Sequence, residues 1–198
     1  MTEPQALYPV FLKVAGRQVL VVGGGPVAAS KLAALVSAGA LVRVVAPAVV
    51  PEIEGLGVAI EQRGFTPSDL DDAWFVVAAA TPEVNRQVAD AAESRRVFVN
   101  AVDDLASASA YLGGVVRKGG VTVAISTDGR APALAGLLRE GLETLLPDDL
   151  ANWQQAGDAA RREWKAAGVP MDERRPLLLR AINRLYETRA PHAVENSA

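Results

Sequence analysis

The stretch from Val19 to Pro47, VLVVGGGPVAASKLAALVSAGALVRVVAP, constrains the fold more than any other part of this chain. Gln18–Val22 is a short, nearly continuous apolar run, the pattern of a strand covered on both faces. Three glycines follow. A segment opening at Pro26 then repeats Ala28, Leu32, Leu35 and Val36 at helical spacing, and Gly39 ends it. Leu41–Val45 reads as a second strand. Strand, glycine turn, helix and strand in this order make the first half of a dinucleotide-binding unit, here in its GxGxxA form. Gly23 permits the tight turn, Gly25 lets backbone approach a diphosphate, and Ala28 lets the helix sit close on the strand. Pro26 loses no hydrogen bond in a first helical turn. Gly23, Gly24, Gly25, Pro26 and Val27 are therefore the expected cradle for a diphosphate at a helix N-terminus.

The acid that normally follows the second strand is missing. An Asp or Glu there would hold a ribose 2′-hydroxyl and mark NAD, whereas an Arg would accommodate the 2′-phosphate of NADP. Ala46-Pro47 does neither, Arg43 lies inside the strand, and Glu52 sits beyond the usual position. With nothing resembling a phosphate site, the reading is NAD, with backbone at Pro47 and Ala48 holding the adenosine ribose.

The alternation continues through Val58–Glu61, Trp74–Ala79 and Val97–Val99 as strands. Pro82–Arg95 reads as a helix with Val84, Val88 and Ala91 inward. This pattern predicts an α/β fold, a Rossmann-like parallel sheet with right-handed crossovers and its chemistry at the carboxyl rim. Two stretches fall on that rim. AAATPEVN, Ala78–Asn85, ends a strand in small residues before Thr81, which lets a flat cofactor lie close to backbone. VNAVDDL, Val99–Leu105, sets Asn100, Val102, Asp103 and Asp104 at or just past the fifth strand. Thr81, Asn100 and Val102 are thus further expected cofactor contacts. Taken alone, the Asp pair fits an ordinary solvated turn with a helix cap better than it fits a catalytic role. A carboxylate with its usual pKa near 4 is a poor base unless desolvated or beside another negative charge.

After Asn100 the grammar changes. Ala110–Val116 and Val121–Ser126 flank Arg117–Gly120 as a hairpin. A helix over Pro132–Leu145 stripes Leu134, Leu138, Leu142 and Leu145, and Leu146-Pro147 stops it. Asp149–Ala166 and Glu173–Glu187 read as helices around a break at Gly168–Pro170, with a frayed end from Thr188. The expected plan is an NAD-binding domain over 1–109, a dimerisation region over 110–147 and a C-terminal helical domain over 148–198. The hairpin and striped helix are too small a layer to be stable alone and are predicted to exchange with a twin subunit. In STDGRAP the helix opened by Pro132 leaves amides near Gly129–Ala131 to meet an anion, with Arg130 beside them. Trp74 reads as strand packing, and Trp153 with Trp164 as one buried stripe. Lys31, Arg161, Arg162, Arg174 and Arg175 read as surface charges.

Composition removes other classes. The chain has no cysteine, which excludes disulfides, iron–sulfur clusters and thiolate zinc sites. Its single histidine, His192, lies in the tail, and no metal site is expected. A net charge of -3 with scattered Lys and Arg argues against a nucleic-acid partner. The chain shows neither a signal-peptide pattern nor an apolar run of roughly 18 residues, so a cytoplasmic protein without a membrane partner is expected. A short-chain dehydrogenase is disfavoured because no Tyr-xxx-Lys occurs: Val115 stands four residues after Tyr111, and Ala190 four after Tyr186. A flavoprotein usually needs the missing acid. A non-enzymatic NAD-sensing domain, which would need the glycine turn but not Asp103, remains the alternative of another class.

Taken in order, GGGPVAASK, AAATPEVN, NAVDD, AISTDGRAPALA and LREGLETLLP resemble the precorrin-2 dehydrogenase/sirohydrochlorin ferrochelatase family, the dehydrogenase module of siroheme synthase. The resemblance runs from about Tyr8 to Pro147. It implies NAD-dependent oxidation of the tetrapyrrole precorrin-2 to sirohydrochlorin, on the route to siroheme and cobalt corrinoids, with Asp103 as general base. The substrate's carboxylates would meet Ser126, Thr127, Gly129 and Arg130, and the resemblance implies an intertwined homodimer. It leaves open a bifunctional enzyme that also inserts a metal, with ferrous or cobalt ion as a further substrate on the same aspartate. The methyltransferase fused to some relatives is expected to be absent. Thr127 falls where some relatives carry a regulatory phosphoserine, and it also suits a helix cap. Arg130, Ala110 and Gly113 depart from the family pattern, with Tyr111 supplying aromatic surface nearby.

Overall fold

Val19–Val22 are almost fully buried because their strand, β1 (Gln18–Val22), lies in the middle of a parallel sheet. The computed structural model describes residues 6–187. The chain divides into two compact units, Met1–Leu112 and Gly113–Ala198.

In the first unit, β1 leads through the glycine turn into α1 (Pro26–Ser37), then β2 (Leu41–Val45), a single-turn helix α2 (Pro51–Glu54) and β3 (Ala59–Glu61). A 3-10 turn, Pro67–Leu70, precedes β4 (Phe75–Ala78), α3 (Pro82–Arg95) and β5 (Phe98–Ala101). The five strands run parallel in the order β3-β2-β1-β4-β5, the Rossmann-like sheet expected from the alternation. Strand side chains alternate between the faces. Leu20, Val22, Val76, Ala78 and Val99 pack with Val88, Ala89 and Ala92 of α3. On the other face Val19, Val21, Val44 and Val77 pack with Ala28 and Leu32 of α1 and Ile53 of α2. Both faces are covered, which is why these strands read as apolar runs without polar alternation.

Besides one-residue shifts at the start of β3 and the end of β4, three features differ from the sequence reading. The fifth strand is Phe98–Ala101, not Val97–Val99: Asn100 pairs in register with Val77 although its polar side chain ended the apolar run. Trp74 precedes β4 and is 58% exposed, with the Arg17 guanidinium 3.8 Å above its ring, so it is a surface cation–π partner and no core residue. The α2 helix and the 3-10 turn are too short to leave a helical period.

The second unit holds the hairpin β6 (Gly114–Lys118) and β7 (Val121–Ile125), then α4 (Pro132–Leu145), α5 (Leu150–Ala166) and α6 (Met171–Glu187). Gly119 and Gly120 form the two-residue turn with φ of 54° and 79°, the positive pair that suits the strands' right-handed twist. The first strand starts at Gly114, four residues later than its apolar run, because the amides of Ser109 and Ala110 bond to the Val99 carbonyl and belong to the first unit. The last helix starts at Met171, two residues before the expected Glu173. Lys118 donates to the carbonyls of Leu146 (2.7 Å) and Glu143 (3.4 Å), capping the end of α4. Trp153 and Trp164 are half-buried, and Trp153 donates its indole N–H to the Tyr186 hydroxyl at 2.7 Å. The expected frayed end from Thr188, with His192, lies outside the described residues. Among those residues no helix is long and apolar enough to cross a membrane.

Candidate active site

The glycine turn works by close approach. Gly23 has a φ of 125°, and a Cβ there would lie 2.2 Å from the Ala79 carbonyl oxygen at the end of β4. A Cβ on Gly24 would lie 1.9 Å from the Ala48 carbonyl oxygen, so only hydrogen fits at either position. The Gly23 amide bonds to the Val45 carbonyl, and the Gly24 carbonyl accepts from the Val50 amide. Gly25 is different: a Cβ there would meet nothing within 4 Å. Open space therefore lies over Gly25 and the start of α1, and Pro26 and Val27 are exposed beside it. None of the described residues accepts from the amides of Gly24, Gly25 or Val27. Free amides at a helix N-terminus with room above them fit a dinucleotide's diphosphate. Pro47 and Ala48 are exposed at the end of β2, as a ribose contact requires.

Along the same rim, Thr81 is exposed at the start of α3 and Val102 is half-buried just after β5. Asn100 is 7% exposed and donates its side-chain amide to the Ala110 carbonyl at 2.9 Å, while no described residue donates to its Oδ1. The two aspartates divide. Asp104 accepts from the Ser107 amide (3.2 Å) and hydroxyl (2.6 Å), and the Ser107 hydroxyl holds its carboxyl below the usual range. This is the turn-capping role. Asp103 is exposed, has no hydrogen-bond or ion-pair partner among the described residues, and takes the left-handed conformation with a φ of 58°. Asp tolerates that region better than most residues, and the turn displays the carboxylate at the rim. With strands about 4.8 Å apart, β5 and β1 are two positions, roughly 10 Å, apart along this edge.

Sequence reasoning missed two groups. Asn85, on α3, is 3% exposed and sits between the two rim stretches; its signal was a polar residue three before the inward Val88. The second is a four-charge cluster near the edge strand β3. Asp69, 4% exposed, accepts from Arg63 at 2.6 and 2.9 Å, from Arg43 at 3.3 Å and from the Thr66 amide at 2.8 Å. Glu61 pairs with both arginines, 2.9 Å from Arg43. Arg63 holds the Asp69 carboxyl far below the usual range, and Arg43 lowers that of Glu61. An open cavity of about 830 Å³ near this cluster, lined by Gln18, Leu41, Val58 and Ala73 among others, contains no residue of the expected nucleotide site.

The second unit places Ser126, Thr127, Gly129 and Arg130 together on the turn between β7 and α4. The amides of Arg130 and Ala131, expected to be free, are engaged by the carbonyl and hydroxyl of Thr127, because the turn satisfies itself. Arg130 is largely exposed and lies 3.5 Å from Asp128. No group of three or more His, Cys, Asp or Glu suited to a metal occurs among the described residues.

Comparison with known proteins extends this geometry. Residues 10–114 match the family described as putative NAD(P)-binding, and residues 118–145 the one described as sirohaem biosynthesis protein central. The chain is 39% identical over 180 residues to a siroheme synthase of Photorhabdus laumondii, covering 88% of this chain and 38% of that relative. It is 40% identical over 172 residues to siroheme synthase 2 of Cronobacter sakazakii, covering 84% and 38%. The chain thus spans under two fifths of the length of these curated relatives. A solved structure of SirC, a precorrin-2 dehydrogenase, superposes with a TM-score of 0.66 and 25% identity over 89% of each chain.

Proposed function

Because this chain belongs to the putative NAD(P)-binding family and carries the sirohaem biosynthesis central segment, we propose that it oxidises precorrin-2 to sirohydrochlorin, with Asp103 as general base. The observation that carries the proposal is the unpartnered Asp103 carboxylate, displayed after β5 on the rim that also holds the glycine turn. NAD, when bound, supplies the hydride acceptor. The chain's own part is to hold the diphosphate on the amides of Gly24, Gly25 and Val27, with Pro26 opening the helix. Pro47, Ala48, Thr81, Asn100 and Val102 complete the nucleotide's surroundings, and Asp103 removes a proton from the macrocycle. Ser126, Thr127, Gly129 and Arg130 meet the carboxylates of the tetrapyrrole substrate.

Support for NAD over NADP comes from the arginines in β2 and just after β3. Arg43 and Arg63 are both neutralised by Glu61 and Asp69, so neither is free for a 2′-phosphate. The exposed leucines of α4, Leu134, Leu137, Leu138 and Leu145, support the homodimer, and the cytoplasmic setting belongs to the same proposal. The siroheme synthase relatives favour a second reading, in which ferrous or cobalt ion is inserted into sirohydrochlorin on the same aspartate.

The test mixes the protein with anaerobically generated precorrin-2 and NAD and follows sirohydrochlorin absorbance. Asp103→Ala should slow turnover by about 10²- to 10⁴-fold, the range for loss of a general base. A protein that binds NAD and converts nothing is a sensor, and the enzymatic proposal fails. Adding ferrous or cobalt ion to sirohydrochlorin tests insertion separately.

A further inference from the structure

We infer that Asn85 is the positioning residue that holds the Asp103 turn in register with the nucleotide-binding rim. This rests on the reading of Asp103 given above. Three loops meet at the carboxyl edge of the sheet, and each is tied to its neighbour. The first tie is steric: Gly23, buried, packs so closely on the Ala79 carbonyl that no Cβ fits between them. The second is the side chain of Asn85. Its Oδ1 accepts the Ala80 amide at 2.9 Å, and its Nδ2 donates to the Val102 carbonyl at 3.4 Å.

The partners dictate the orientation of the amide. Ala80 offers a donor and Val102 an acceptor, so only one flip of Asn85 satisfies both. Asn85 is itself fixed, 3% exposed on α3 with its amide bonded to the Thr81 carbonyl. Val102 is held from the other side by its own amide, which donates to the Ala78 carbonyl at 2.9 Å. The next residue is Asp103, in the left-handed conformation. The peptide bearing the Val102 carbonyl is the one that leads into Asp103, so the Asn85 bond sets the plane from which the carboxylate projects. A contact chain therefore runs from Gly23 through Ala79, Ala80, Asn85 and Val102 to Asp103. No other described side chain bridges these two rim loops by hydrogen bonds.

A buried amide with this role predicts a specific kinetic signature. Asn85→Leu removes both bonds while keeping the same four-atom branched skeleton. The NAD dissociation constant should rise less than about fivefold, since the diphosphate cradle keeps its free amides while only the flanking contacts at Thr81 and Val102 loosen, whereas kcat falls about 10- to 100-fold through misplacement of the base. The effect should be non-additive. In the Asp103→Ala background, Asn85→Leu should cost no further turnover, because the group it positions is already gone. Amide hydrogen exchange on the cofactor-free protein gives a reading independent of turnover: Asn85→Leu should speed exchange in both 78–86 and 98–106, whereas Asp103→Ala should not.

Equal losses in both Asp103 backgrounds, or faster exchange in only one segment, would overturn the positioning role while leaving the base reading intact. A fully active Asp103→Ala enzyme would overturn the base reading, and the positioning role with it. If Asn85→Leu does not fold, Asn85→Ser, which leaves room for bridging water, carries the same two measurements with the same criteria.

Discussion

A single glycine position separates folding from binding at the nucleotide turn. Gly24→Ala drives a methyl group against the Ala48 carbonyl, backbone that has nowhere to go, so the protein should unfold several degrees lower. Gly25→Ala adds the same methyl where nothing lies within 4 Å and where φ is -86°, which alanine adopts freely. Stability should be unchanged, yet the methyl occupies the space over the free amides, and NAD affinity should drop about tenfold, or 1.4 kcal/mol. Thermal unfolding and NAD titration of both variants check the pair. A Gly25→Ala protein that binds NAD normally would show that the diphosphate does not sit there. Asp69 makes the second residue-scale prediction. Its carboxyl titrates below the unfolded value of 3.8, so it stabilises the fold above that pH, and the contribution drains away as pH falls below about 4. Asp69→Asn should cost about 3 kcal/mol near neutrality, because two arginines lose a buried partner. Urea midpoints should converge for the two proteins as the pH is lowered. A constant gap down to pH 3 would remove the ionised carboxylate from the account.

At the scale of elements, legibility followed length and periodicity. The strands β1, β2 and β4 and the helices α1, α3 and α4 were readable because each carries enough apolar positions to display its period. The single-turn α2 and the 3-10 turn show no period, and β5 was cut short because Asn100 interrupts its apolar run while still pairing with Val77. The candidate site was readable in the same uneven way. Gly23 and Gly25 announce themselves by motif and Asp103 only through the family resemblance, whereas Asn85 and the Arg43–Glu61–Arg63–Asp69 cluster are made by residues that only folding brings together. The leucine stripe of α4 was also readable, but its environment was not: within the chain only Ala135 of that helix is buried. The hairpin depends on α4 through Lys118, whose ammonium meets the Leu146 carbonyl and, at 2.7 Å, Asp148. Lys118→Met keeps the apolar stem and removes the donor. It should lower the stability of the second unit by about 1 kcal/mol, read as a lower urea midpoint at unchanged slope.

For the whole molecule, the decisive quantity is the apolar surface that the chain leaves unburied. Leu134, Leu137, Leu138 and Leu145 are between 44% and 78% exposed, and all lie on α4. Scattered exposed leucines are ordinary, but four on one helix of fourteen residues make a face that water solvates poorly. The proposed homodimer gives that face an occupant of matching chemistry, since a two-fold interface sets the same patch against itself. Light scattering at micromolar concentration should then report about twice the chain mass of 20.7 kDa. Leu137→Glu places a charge at the 65% exposed position, where the chain's own packing is not disturbed. In the dimer the same charge meets its symmetry mate or apolar surface, and association should weaken at least about tenfold. The variant should run as a monomer with near-normal NAD affinity, because the glycine turn belongs to the other unit. A wild-type protein that stays monomeric as concentration rises would reject the dimer outright. A Leu137→Glu protein that remains dimeric would move the interface off this face of α4.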